Sequence, residues 1–163
     1  MHHRPHRIRR ATAALAVLIG SLTACGSDSS ERCVPEASTT ASAAQLVGSY
    51  AGSLKAEGTR LTLTATPGAN QGGALTAENW PTGSFYRSKL GETFNGSGTW
   101  EVEPARSPDG RSLLRLHFDA PELLLPGDTL DKLSIGIDAE RTFVYDDRDP
   151  DVCPDFRLRL HKN

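Results

Sequence analysis

From residue 46 onward, apolar and polar side chains alternate. Leu61, Leu63 and Ala65 fall on one side of a run whose other side carries Arg60, Thr62 and Thr64. Trp100 and Val102 alternate with Thr99, Glu101 and Glu103. Leu114, Leu116 and Phe118 alternate with Arg115 and His117, and Phe156, Leu158 and Leu160 with Arg157, Arg159 and His161. Leu133, Ile135 and Ile137 keep the same spacing. A period of two sends successive side chains to opposite faces of an extended chain, so each run reads as a half-buried β-strand. Eight strands are predicted, over 46–54, 60–66, 74–78, 98–103, 112–119, 132–138, 142–145 and 155–161.

The breaks between runs carry turn chemistry. Ser107-Pro108-Asp109-Gly110 has proline second and glycine last, a type I pattern. Residues 66–73 are glycine-rich, and 138–141 is a short connector. Two connections are longer, 80–93 and 120–130. The second holds Leu123, Leu124 and Leu125 between two prolines, and these leucines are expected to cap one end of the core. Short connections favour an antiparallel meander, and eight meandering strands remove their exposed edges by closing. The expected fold class is therefore all-β, a meander closing into a small barrel over 45–163.

The first 25 residues have a different composition. Arg4, Arg7, Arg9 and Arg10 precede twelve uncharged, mostly apolar residues, 11–22. A basic n-region followed by a short apolar segment is the pattern of a secretory signal peptide, too short for a stable membrane anchor. It ends in Leu22-Thr23-Ala24-Cys25, which resembles a lipobox. The resemblance implies a diacylglyceryl group on the Cys25 sulfur and cleavage between Ala24 and Cys25. The expected organisation is a lipoprotein signal peptide (1–24), a lipidated cysteine with a Ser/Ala/Thr-rich tether (25–44), and the barrel. One short helical turn, capped by Thr40 and ending near Gly48, is expected where tether meets barrel. The implied location is the outer face of a bacterial cytoplasmic membrane, held by lipid at about 0.8 kcal/mol per buried methylene.

Removing the leader changes the charge. Four of the 18 basic residues precede Cys25 and none of the 20 acidic ones does, which leaves a formal charge of −6. Nucleic acid, which needs basic patches, is not an expected partner. The same total predicts a body that stands off anionic headgroups. The chain has three cysteines. With Cys25 lipidated, Cys33 and Cys153 remain, in a compartment where disulfides persist. A Cys33–Cys153 bond is expected, with two free thiols or an intermolecular bond as alternatives.

Gly48-Ser49-Tyr50 and the alternating strand after it resemble the opening of a lipocalin-like barrel, with Tyr50 standing where that pattern has tryptophan. With the stretch from Asn95 to Glu103, the run 113–118 and Asp149-Pro150-Asp151 before the last strand, residues 46–160 are similar to small surface lipoproteins of high-GC Gram-positive bacteria. That resemblance implies a barrel and transfers neither a catalytic residue nor a ligand.

The search for chemistry finds little. Ser97 lies between glycines without the strand-turn-helix setting of a hydrolase nucleophile. His117 and His161 fall on outward strand positions, and Glu101 and Glu103 on a solvated face. Asp147, Asp149 and Asp151 have calcium-loop spacing, but Val152 and Leu158 stand where the loop needs glycine and glutamate. They read as turn residues, with a weak surface calcium site as the alternative. No enzyme activity, cofactor or metal is expected. Inward positions Tyr50, Leu61, Leu63, Trp100, Leu116 and Phe118 either form the core or line a cavity for a small apolar ligand. The expected function is a membrane-anchored, non-catalytic binding module for such a ligand or for an envelope protein. An accessory subunit with a filled barrel is the alternative, and an envelope hydrolase the last.

Overall fold

Eight antiparallel strands follow one another round a closed barrel in chain order, and the last pairs with the first. They are β1 (Gly48–Leu54), β2 (Arg60–Ala65), β3 (Gly72–Pro81), β4 (Thr93–Glu103), β5 (Leu113–Ala120), β6 (Lys132–Ile137), β7 (Thr142–Tyr145) and β8 (Phe156–His161). The structure, a computed structural model, describes residues 33–67, 71–122, 124–139, 142–148 and 152–161. The barrel lies in the unit Glu31–Asn163. The expected signal peptide, Ala24 and Cys25 fall outside the described residues.

Register carries the inward positions round the wall. Tyr50 faces Leu61, and Leu61 faces Ala77; Gly73 faces Trp100, and Trp100 faces Leu116. Gly73 has a specific use. The Trp100 indole Nε1 donates to the Thr64 carbonyl at 3.1 Å, on the strand beyond Gly73. A Cβ on Gly73 would lie 1.8 Å from that same oxygen. The predicted turn at 107–110 closes with the Gly110 amide donating to the Ser107 carbonyl at 2.9 Å.

Two strands are longer than their alternation shows. β3 runs past residue 78 to Pro81 because its register shifts between Ala77 and Trp80. Asn79 takes a positive φ of 51°, and its backbone amide donates to Asn95 Oδ1 at 2.9 Å. One extra residue turns the next side chain over, so Trp80 points inward. β4 begins at Thr93 rather than 98, because Gly96 and Gly98 supply no apolar side chain to mark the inward face. Gly96 instead leaves room for rings: a Cβ there would lie 2.8 Å from both Phe94 and Phe118.

A meander puts alternate connections at opposite ends. Connections 55–59, 82–92, 121–131 and 146–155 lie at one end, called the rim; 66–71, 104–112 and 138–141 lie at the base. The base is closed by α1 (Ala43–Leu46), whose Leu46 is fully buried and whose Leu46 carbonyl accepts the Tyr50 hydroxyl at 2.7 Å. Burial raises the Tyr50 hydroxyl's pKa, so it stays a donor. The cap is Ser42, not Thr40: its amide donates to Gln45 Oε1 at 2.9 Å.

Residues 33–42, expected to be tether, lie on the outside of the barrel. Ala37 bridges to Gly136, the Ser38 amide donates to the Ile135 carbonyl at 2.6 Å, and the Ser112 amide donates to the Ser38 carbonyl at 2.7 Å. The Tyr145 hydroxyl donates to the Pro35 carbonyl at 3.1 Å, and burial beside Asp147 pushes its pKa up to about 12. This strap explains why every residue of β7 is buried, on outward as well as inward positions. The expected disulfide is present: Cys33 joins Cys153 across 120 residues, with Cα atoms 5.9 Å apart.

Candidate functional site

The six interior candidates converge on one cluster. Tyr50, Leu61, Leu63, Trp100 and Leu116 are buried in it, and Phe118 packs against it half-buried. They share the interior with Leu46, Leu75, Trp80, Leu133 and Leu158, each 2% exposed or less. Trp80 joins the rings near the rim: its centroid is 5.4 Å from Phe156 and 5.9 Å from Phe118, and Phe118 is 5.2 Å from Phe94. The barrel interior is thus occupied by the chain's own side chains.

The surface features gather at the rim. Among the described residues five large apolar side chains are exposed, and four of them, Leu54, Phe85, Leu125 and Val152, come one from each rim connection or its border. The connections are braced against one another. Thr129 Oγ1 donates to the Pro81 carbonyl, the Trp80 indole donates to the Leu130 carbonyl at 2.9 Å, and a Cβ on Gly83 would strike the Asp128 carbonyl at 1.5 Å. The leucine cap is therefore split. Leu124 is buried in the core, Leu125 is 66% exposed, and Leu123 lies outside the described residues.

Beside this rim the wall opens. β5 pairs with β6 only through residues 113–115, so its second half is left beside the 121–131 connection. The space between is a groove of about 210 Å³ lined by His117, Phe118, Asp119, Leu124, Leu125 and Asp131, among others. An imidazole near two carboxylates suggests a hydrolytic site, but His117 and Asp131 are engaged elsewhere. Asp131 Oδ2 accepts the Gly127 amide at 2.8 Å, and His117 Nε2 lies 3.4 Å from Glu101 Oε1 on the solvated face. Thr129 spends its hydroxyl proton on Pro81. These bonds hold the connection in place.

The outer face next to the groove carries an ion network that sequence alternation reduced to a wet surface. Glu103 meets Arg106 Nη2 at 2.5 Å, Arg115 Nη2 at 3.1 Å and Lys132 Nζ at 3.6 Å. Partial burial pushes its carboxyl pKa up, but the Arg106 bond, the Lys132 charge and the Arg115 bond outweigh it, and the net shift is downward from 4.5. A carboxyl with a lowered folded pKa stabilises above its ordinary value, and the gain is lost as pH falls through the folded value. Glu103→Gln should therefore cost about 1 kcal/mol at neutral pH. The gap from wild type should close in strong acid; chemical denaturation at neutral pH and below pH ~3 checks this.

Asp146 and Asp147 serve arginines, pairing with Arg148 and Arg111. Asp149 and Asp151 lie outside the described residues. No protein-family model, curated protein or solved structure matches the chain.

Proposed function

We propose that this protein is a lipid-anchored, extracytoplasmic binding module whose filled barrel presents its rim to a protein partner in the cell envelope. The observation that carries the binding reading is the concentration of exposed Leu54, Phe85, Leu125 and Val152 at one end, on connections braced to one another. Exposed apolar groups held on a rigid frame mark interaction surfaces. Two features favour a protein over a small apolar ligand. The interior is occupied, and the rim groove, at about 210 Å³, is smaller than the roughly 300 Å³ at which small-molecule pockets begin. The anchor reading rests on the basic n-region, the apolar segment and the Leu22–Cys25 motif.

Expression in a bacterial host with cell fractionation tests both parts. Wild type should be recovered with membranes and Cys25→Ala should not be lipidated or cleaved. Photocrosslinkers at Phe85 and Leu125 should give a discrete adduct in intact cells, whereas one at Arg106, at the base, should give none. Processing of Cys25→Ala like wild type removes the anchor. Equal adducts from both ends remove the rim as the binding surface.

A further inference from the structure

Every described arginine but two has a carboxylate partner. Arg60, Arg87, Arg106, Arg111, Arg115 and Arg148 pair with Glu78, Glu92, Glu103, Asp147, Glu103 and Asp146. The exceptions, Arg157 and Arg159, are neighbours on one face of one strand. Arg157 donates to neutral acceptors, the Cys33 carbonyl at 2.7 Å and Ser53 Oγ at 3.3 Å. Arg159 is exposed with no ion pair among the described residues. His161, also exposed, continues the row.

The strand alongside makes the row accessible. β1 sets Ser53, Ala51 and Ser49 opposite Arg157, Arg159 and His161. Three small side chains beside three long ones leave a shallow groove of about 360 Å³, and Cys33 lies at its edge. Asp155, just before β8, is engaged by Lys55, and Asp147, beside the Tyr145 that faces Arg157, by Arg111. In a protein whose formal charge after the leader is −6, an unpaired basic row stands out against the average.

We infer that the outer face of β8 and β1 docks on a layer of anionic lipid headgroups. Charge complementarity supports this, since a membrane surface rich in anionic lipid attracts clustered cations and forms charge-assisted hydrogen bonds with guanidinium. Chain length supports it independently. Eight residues carry the chain from Cys25 to Cys33, a reach of at most about 28 Å when extended. Cys33 borders the basic groove, so a lipid on Cys25 would keep this face within that reach of the bilayer. The inference rests on the proposed anchor for its second support. It replaces the expectation, drawn from total charge, that the body stands off the headgroups: the face that meets the surface decides, because charges farther than a Debye length of about 8 Å are screened.

The test uses the unit 31–163, which carries the closed barrel, its whole core and the disulfide, and lacks Cys25. It is sedimented with vesicles of phosphatidylglycerol and phosphatidylcholine in equal parts, and with phosphatidylcholine alone. Binding should require the anionic lipid and weaken as salt is raised. One elementary charge near such a surface changes partitioning about fivefold, so Arg159→Glu, a change of two, should weaken it about 25-fold. Lys89→Glu, an equal charge change on α2 (Arg87–Leu90), should weaken it less than threefold. Equal binding to both vesicles, or equal losses from the two variants, overturns the proposal. Salt dependence of the wild type keeps the test decisive if Arg159→Glu fails to fold. Because this unit has no lipid site, failure here leaves the Cys25 fractionation result standing, and the reverse also holds.

Discussion

Trp80→Ala should be the most damaging single substitution in the barrel, lowering stability by about 3–5 kcal/mol. The indole is fully buried, packs against Phe118 and Phe156, and donates Nε1–H to the Leu130 carbonyl. Truncation removes the ring contacts, leaves a cavity beside two phenylalanines, and strands a carbonyl that braces the rim. Trp80→Phe separates these effects, because it keeps a ring and loses the hydrogen bond; about 1–2 kcal/mol is expected. Phe85→Ala, at a position 76% exposed, should change stability by less than about 0.5 kcal/mol. Equilibrium unfolding in urea measures all three. A Trp80→Ala variant as stable as Phe85→Ala would show that the bulge at Asn79 does not turn Trp80 inward.

Replacing Cys33 and Cys153 together with serine should lower stability by up to about 4–5 kcal/mol, the chain-entropy value for a 120-residue loop. The bond joins the strap to the β7–β8 connection, so its loss frees both. The strap keeps other ties, through Ser38 to Ile135 and Tyr145 to Pro35. The barrel wall closes through β1 and β8 without it. The serine variant should therefore remain a cooperatively folding barrel with a lower midpoint, and its Ser38 amide should exchange faster. An unchanged midpoint with and without reductant would remove the disulfide from the account of stability.

Strand number, order and closure were legible because they depend on alternation and short connections, both local features of sequence. The interior candidates were legible for the same reason: period two assigns a face. What alternation could not convey was any place where the period breaks. Asn79 inserts one residue and inverts the face, so Trp80 read as the start of an irregular connection. Gly96 and Gly98 are inward positions without side chains, so the first half of β4 carried no alternation, only an isolated Phe94. The strap was hidden by composition, because Ser/Ala/Thr-rich residues hold the barrel with backbone groups, which every sequence has. Two further features depend on register between strands far apart in the chain. The opening beside β5 follows from its short pairing with β6, and the Glu103 network gathers residues from β4, β5 and β6.

The rim and the basic face divide the surface into two roles. On the proposed reading, Arg157 and Arg159 set the wall of the barrel against the membrane while the rim meets a protein partner. Leu54, Phe85, Leu125 and Val152 would then be buried only in the complex, where apolar anchors contribute most. Both roles leave the interior to packing, and this separates the account from one in which the barrel carries a ligand.

Native mass spectrometry of the protein extracted from its own host's membranes tests that separation most directly. The account predicts a chain that begins at a diacylglyceryl-modified Cys25, keeps the Cys33–Cys153 bond, and carries no further non-covalent component. A small apolar molecule retained at one per chain, and released only when the barrel unfolds, would contradict it.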